Sequence, residues 1–163
     1  MDFPSLRKEY YNGIHFKLAE MFTNDYENGY VLNDNALTKI VYVLDLNFSV
    51  EVFDERNAEA IRYAFDEEIS SLDAIHDNYI IQRKKSLYDE KTSVKKELPK
   101  SVQYPGYIQV VHGTNYSTES PSTYFTATIK IDDEYFVFQM IGKKENMGYL
   151  YDDFIDILSS IDK

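Results

Sequence analysis

At 163 residues the chain has the length of a single domain, and 44% hydrophobic with 15% aromatic residues is too apolar for a disordered one. It has no cysteine, which excludes disulfides, thiolate metal sites and cysteine nucleophiles, and it has no apolar run near the ~18 residues of a membrane-spanning helix. A formal charge of −11 repels phosphate backbones and anionic lipid, so nucleic acid and membrane surfaces are poor partners and a basic protein fits better.

After Pro4 and Ser5, the residues Leu6, Tyr10, Ile14, Leu18 and Met21 recur at helical spacing and predict an N-terminal helix. Thr23 to Asn35 has no sustained period and reads as a loop. From Ile40 to Val52 apolar residues alternate with Asp45, Asn47, Ser49 and Glu51, the pattern of a half-solvated strand. Ala36 to Leu44 also matches a helical period, and that choice stays open. Asp54 or Asn57 caps a helical region with apolar positions Ala58, Ile61, Ala64, Phe65, Ile69 and Leu72. The signal continues through Ile75, Tyr79, Ile80, Arg83 and Leu87. No Gly or Pro interrupts it before Pro99, so one long helix or two consecutive ones satisfy the pattern to Leu98.

Tyr104-Pro105-Gly106-Tyr107 carries the central residues of a type II turn, with a strand from Tyr107 to His112 following. A polar stretch, Gly113 to Thr123, leads to the alternating strand Phe125 to Ile131. Asp132 and Asp133 turn it into Tyr135 to Ile141, giving a hairpin that Gly142 ends. Met147, Leu150, Tyr151, Phe154, Ile157, Leu158 and Ile161 then share one face of a C-terminal amphipathic helix. These elements predict one α+β domain over residues 1–163. It has a small antiparallel sheet packed by the N-terminal helix, the long central helical region and the C-terminal helix.

Chemistry-bearing motifs are missing from the pattern. His15, His76 and His112 lie in different elements without ligand spacing. Asp132-Asp133-Glu134 and Asp152-Asp153 lack the alternating acidic pattern of a calcium loop. No nucleophile elbow or phosphate loop occurs. The sequence therefore predicts a non-enzyme with no metal and no cofactor.

Two other features stand out. Between Asp54 and Asp77 eight acids face two bases, and between Arg83 and Lys100 seven bases face three acids. Read functionally, an acidic helix bearing Glu59, Asp66, Glu67, Glu68 and Asp73 steers a basic partner. Read structurally, the basic half neutralises its neighbours in the fold. Ser101 to Thr128 is almost uncharged and rich in Tyr, Ser, Thr and Asn, and Tyr104, Tyr107, Tyr116 and Tyr124 give it the character of a recognition surface.

Phe136-Val-Phe-Gln-Met-Ile-Gly142, Glu145-Asn-Met and Tyr151-Asp-Asp-Phe-Ile-Asp-Ile-Leu-Ser-Ser-Ile161 together resemble the close of PsbP- or DcrB-like domains. That resemblance implies an αβα sandwich that binds partners without catalysis, in a family with secreted and lipid-anchored members. In composition the chain is also similar to bacterial immunity proteins that neutralise secreted toxins. The expected function is an immunity-type inhibitor that occludes a basic toxin domain, or alternatively a cell-envelope ligand-binding domain. The expected location is cytoplasmic, or periplasmic or lipid-anchored if a leader preceded Met1, and the oligomeric state stays open.

Overall fold

Asn12 and Gly13 divide the N-terminal segment. The computed structural model, which describes residues 6–24, 36–41, 46–53, 71–143 and 147–163, places Asn12 at φ 45° and Gly13 at φ 86°. Two consecutive left-handed residues match the twist of antiparallel strands, and Asn-Gly is the pair that adopts them most readily. The expected N-terminal helix is therefore a hairpin of β1 (Leu6–Tyr11) and β2 (Ile14–Ala19).

The predicted strand from Ile40 to Val52 is two strands, β4 (Ala36–Val41) and β5 (Leu46–Phe53), paired antiparallel with Leu37 opposite Val50. Ala36 to Val41 is thus strand and not helix. A short β3 (Thr23–Asn24) pairs with β4. The long helical region is corrected as well. Helix α1 covers Leu72–Lys85 and the chain then turns into β6 (Leu87–Thr92) and β7 (Lys96–Glu97). Residues 54–70 lie outside the described residues, and with them the expected sites Glu59, Asp66, Glu67 and Glu68.

Strands β8 (Gly106–Asn115), β9 (Pro121–Ile131) and β10 (Glu134–Gly142) complete an antiparallel sheet of eight strands. Its order is β3-β4-β5-β10-β9-β8-β6, with β7 also on β8. The small sheet expected from the sequence is in fact the main body of the described fold, and two helices pack against it. The predicted Asp132-Asp133 turn joins β9 to β10, with Asp132 at φ 54°. A single 3-10 turn, Met147–Leu150, leads into helix α2 (Tyr151–Ser159).

The two faces of this sheet differ in chemistry. One face presents Phe48, Val50, Phe125, Ala127, Ile129, Phe136, Phe138 and Met140, all buried, and is covered by Ile14, Phe16 and Leu18 of β2 and by Phe154, Ile157 and Leu158 of α2. Phe16 meets Phe48 at 5.6 Å and Phe138 edge-on at 5.7 Å. Removing such a fully buried ring costs on the order of 3–5 kcal/mol. The other face carries α1 and is partly polar. Thr126, Thr128 and Gln139 are buried there alongside Val111, Tyr124 and Val137.

The expected type II turn at Tyr104–Tyr107 is not formed, because Gly106 does not take positive φ. It opens β8 directly. A side chain at Gly106 would bring a Cβ to 2.2 Å from the Thr128 carbonyl oxygen and 2.6 Å from Leu98 Cδ1, so the absence of a side chain is what lets β8 lie against β9 here.

Gly13→Ala is expected to lower stability by ~1–2 kcal/mol, since nothing crowds Gly13 and only the left-handed backbone resists a side chain. Gly106→Ala is expected to cost more, because its Cβ strikes backbone. Urea unfolding of both variants tests the ranking, and a Gly106→Ala protein as stable as Gly13→Ala would contradict this close approach.

Candidate functional site

Ser71 caps α1 by accepting from the Ala74 backbone N–H at 3.1 Å, which sets the first turn of the helix beside the loop between β6 and β7. Asp73 and Asp77 sit one turn apart on its exposed side. Lys95 reaches back from the loop to both, at 2.7 Å from Asp73 Oδ1 and 3.1 Å from Asp77 Oδ1. Its ammonium also lies 4.9 Å from the centre of the Tyr107 ring, and the Tyr107 hydroxyl donates to Asp73 Oδ2 at 3.2 Å. The Lys95 hydrogen bond holds the Asp73 carboxyl below the usual carboxylate range, and the same bond raises Lys95. The Asp73 charge pushes the Tyr107 phenol up.

Beneath this cluster His76 is fully buried between α1 and the sheet. The Gln109 amide donates to the Ser93 carbonyl at 2.9 Å, so its oxygen faces His76 Nε2, also at 2.9 Å, and that nitrogen donates. Nδ1 then accepts from the Thr128 hydroxyl at 2.9 Å. Ser93 is fixed further by its backbone N–H to the Val110 carbonyl and by its hydroxyl accepting from the Val110 N–H, both at 2.9 Å. The loop is therefore tied to the helix through the sheet and, at Lys95, over the top.

Beside the clip opens a cleft of about 440 Å³, with Leu72, Leu98, Pro99, Val102, Tyr104, Pro105 and Tyr107 as its apolar and aromatic lining and Glu97, Lys100 and Gln103 on the rim. Asp73, Tyr104 and Tyr107 are thus brought together in one region. Tyr116 is not. It lies past the far end of β8, about 30 Å away at ~3.3 Å per residue, 60% exposed, with its ring tilted against that of Tyr88 at 5.1 Å. Tyr124 is buried on the helix-bearing face under the Arg83 guanidinium at 5.1 Å, which leaves it little surface to offer a partner.

Leu72, Lys95, Leu98 and Pro99 escaped sequence reasoning as site residues. The polarised charge between Asp54 and Lys100 was the signal for Lys95, which bridges Asp73 and Asp77 within the fold.

His76 and Thr128 form an imidazole–hydroxyl pair, but both are fully buried, so no substrate reaches the hydroxyl. His112 and Thr123 form another at 2.8 Å, with Thr123 buried. Among the described residues no group of three or more His, Cys, Asp or Glu side chains is placed to hold a metal ion. No described helix is long and apolar enough to cross a membrane.

Among solved structures, the Saccharomyces cerevisiae Ran-binding protein Mog1p superposes with a TM-score of 0.62 across 97% of this chain and 96% of its own, at 8% identity. The fold is that of Mog1. A point mutant of Mog1 superposes at 0.58 over 96% of this chain and 87% of its own, at 9% identity. No family model matches the sequence. No curated protein matches it either. At such identity the Mog1 likeness lies in the path of the backbone, and the cleft and clip rest on this chain's own side chains.

Burial holds His76 neutral by lowering its proton affinity from the ordinary value of 6.5. The stability that neutral His76 contributes is complete above that value and is lost as pH falls through the lowered folded value. Urea unfolding of the wild type and His76→Gln between about pH 7.5 and 5.5 is expected to show a steeper decline in the wild type. Parallel declines would remove His76 from the acid sensitivity.

Proposed function

We propose that this Mog1-like domain is a non-catalytic protein-binding module, and that it works as an immunity-type inhibitor which occludes a basic toxin domain. The cleft of Tyr104 and Tyr107 beside the Asp73–Lys95–Asp77 clip carries the reading. Tyrosine rings held by neighbours present large contact area at small entropic cost, the property expected of interface anchors. The likeness to a Ran-binding protein supports a fold used for protein partners, and the formal charge of −11 supports a basic one.

A second reading, a cell-envelope ligand-binding domain of PsbP or DcrB type, draws on the closing β10-to-α2 pattern. A lipid-anchor cysteine in a preceding leader would favour it.

A toxin gene next to the one for this chain would favour the first reading, and co-expression with its toxin domain tests it. Growth is expected to be restored by the wild type and lost with Tyr104→Ala in the presence of Glu67→Lys and Glu68→Lys. Calorimetry on the purified pair should show Tyr104→Ala alone weakening binding by roughly 30-fold, as for an anchor worth ~2 kcal/mol. No protection by the wild type sinks the immunity reading. Unchanged affinity in a folded Tyr104→Ala protein sinks the cleft as the contact surface.

A further inference from the structure

Asn12 and Gly13, which turn β1 into β2, are a reactive pair as well as a tight turn. Both residues are exposed, and nothing lies within 4 Å of the place a Gly13 side chain would occupy. Without a side chain to hinder it, the nitrogen of a glycine attacks the carboxamide carbon of a preceding asparagine more readily than that of any other residue. Ring closure has a geometric condition: the Gly13 nitrogen must swing to the side of the Asn12 Cβ. A left-handed residue, with ψ about +47°, turns the next nitrogen away from its own Cβ. Asn12 is such a residue, at φ 45°. The formed turn is therefore unreactive, and the chemistry waits for it to open.

The Asn12 side chain is meanwhile held across the fold. Its Nδ2 donates to Glu134 Oε2 at 2.9 Å, between residues 122 positions apart. Glu134 opens β10 straight after the Asp132–Asp133 turn, so this bond ties the tip of the hairpin to the tip of the sheet. We propose that Asn12 is a site of spontaneous deamidation, gated by opening of the hairpin tip and restrained by its bond to Glu134.

In the first step the Gly13 nitrogen gives its proton to hydroxide and bonds to Asn12 Cγ. The Cγ–Nδ2 bond breaks, and the departing nitrogen takes a proton from water and leaves as ammonia, so that a succinimide remains. Water then opens one of the two ring carbonyl–nitrogen bonds. One opening leaves an aspartate at position 12, and the other an isoaspartyl link whose main chain is one methylene longer. Both products undo what holds the tip. Each puts a carboxylate where Glu134 had a donor, beside a turn that already holds Asp132 and Asp133. The isoaspartyl link also lengthens a two-residue turn, which disturbs the register that seats Ile14, 2% exposed, in the core.

The sequence carries its own control, a second Asn-Gly pair at Asn28 and Gly29. A time course of peptide mapping by mass spectrometry, on the full chain in mildly alkaline buffer, scores aspartyl and isoaspartyl products at both pairs. Conversion at Asn12 is expected to run at least about tenfold slower than in a short peptide of the same local sequence. Glu134→Ala should speed it about threefold or more while leaving the rate at Asn28 unchanged. Asn12→Asp should unfold at lower urea than the wild type, and the difference should shrink when both carry Glu134→Ala. An Asn12 still intact after the peptide has fully converted, or one that converts as fast as the peptide, would overturn the proposal. So would a rate at Asn12 that Glu134→Ala lowers or leaves unchanged, or an equal acceleration at both pairs.

Discussion

Phe16, Phe48 and Phe138 come from β2, β5 and β10, and their mutual contact at 5.6 to 6.1 Å is what attaches the N-terminal hairpin to the sheet. All three rings are fully buried. Once β2 is seated on them, its outer edge faces the C-terminal helix, and Asp162 pairs with His15 through two backbone hydrogen bonds of 2.6 and 2.8 Å. The Lys17 backbone N–H meets the Ser160 hydroxyl at 2.8 Å. The chain's two ends are thus joined over one core, and the position of α2 depends on a hairpin more than a hundred residues away in sequence.

The opposite face of the sheet is organised on a different principle. Hydrophobic burial is non-directional, and a helix lying on a purely apolar sheet could settle at several angles. Here α1 is fixed by directional bonds: His76 to Gln109 and Thr128, and Arg83 to Gln139 at 2.7 Å. The Gln139 oxygen also takes the Thr126 hydroxyl at 3.3 Å, so the buried polar groups satisfy one another. Small apolar clusters at Ile75 with Val137, and at Ile80 with Val111, flank this polar strip and exclude water from it. The precise placement of α1 in turn places Asp73 under Lys95 and Leu72 at the cleft.

What the sequence made legible follows from how much each element's pattern depends on distant partners. The β9–β10 hairpin and α2 were readable because their periods are long and uninterrupted. The N-terminal hairpin was missed because a four-residue spacing suits both a helix and one face of a strand. Leu6 and Tyr10 share that spacing with Ile14 and Leu18, but the Asn12-Gly13 turn reverses the parity, pairing Leu6 with Ala19. The first two residues are exposed and the second two buried, although the pattern put all four on one face. Asn-Gly was the local signal that decides between the periods. At Ser86 no breaker marks the end of α1. The chain leaves the helix because Leu87 is buried with Ile80, Val111 and Tyr124 when β6 pairs with β8, a gain visible only in three dimensions. At the site, Tyr104 and Tyr107 were found by composition. Lys95 was not, because a charge's partner is set by the loop's path and leaves no trace in spacing.

The clip also bears on how a surface without a motif can recognise a partner. Ordering a long side chain at an interface costs roughly 0.5–1.5 kcal/mol, and that cost is avoided when the side chain is already held. Tyr107 is held twice, by the Lys95 ammonium over its ring and by Asp73 at its hydroxyl. Tyr104 packs against the main core, and the loop carrying Lys95 is anchored through Ser93 to Val110 and Gln109. Two carboxylates are committed to this scaffold, so in the proposed reading Asp73 and Asp77 serve a partner chiefly by keeping the aromatic cleft in shape. On the same proposal, long-range attraction of a basic partner falls to the remaining acidic surface, while the cleft would supply the contact that decides how long the complex lasts.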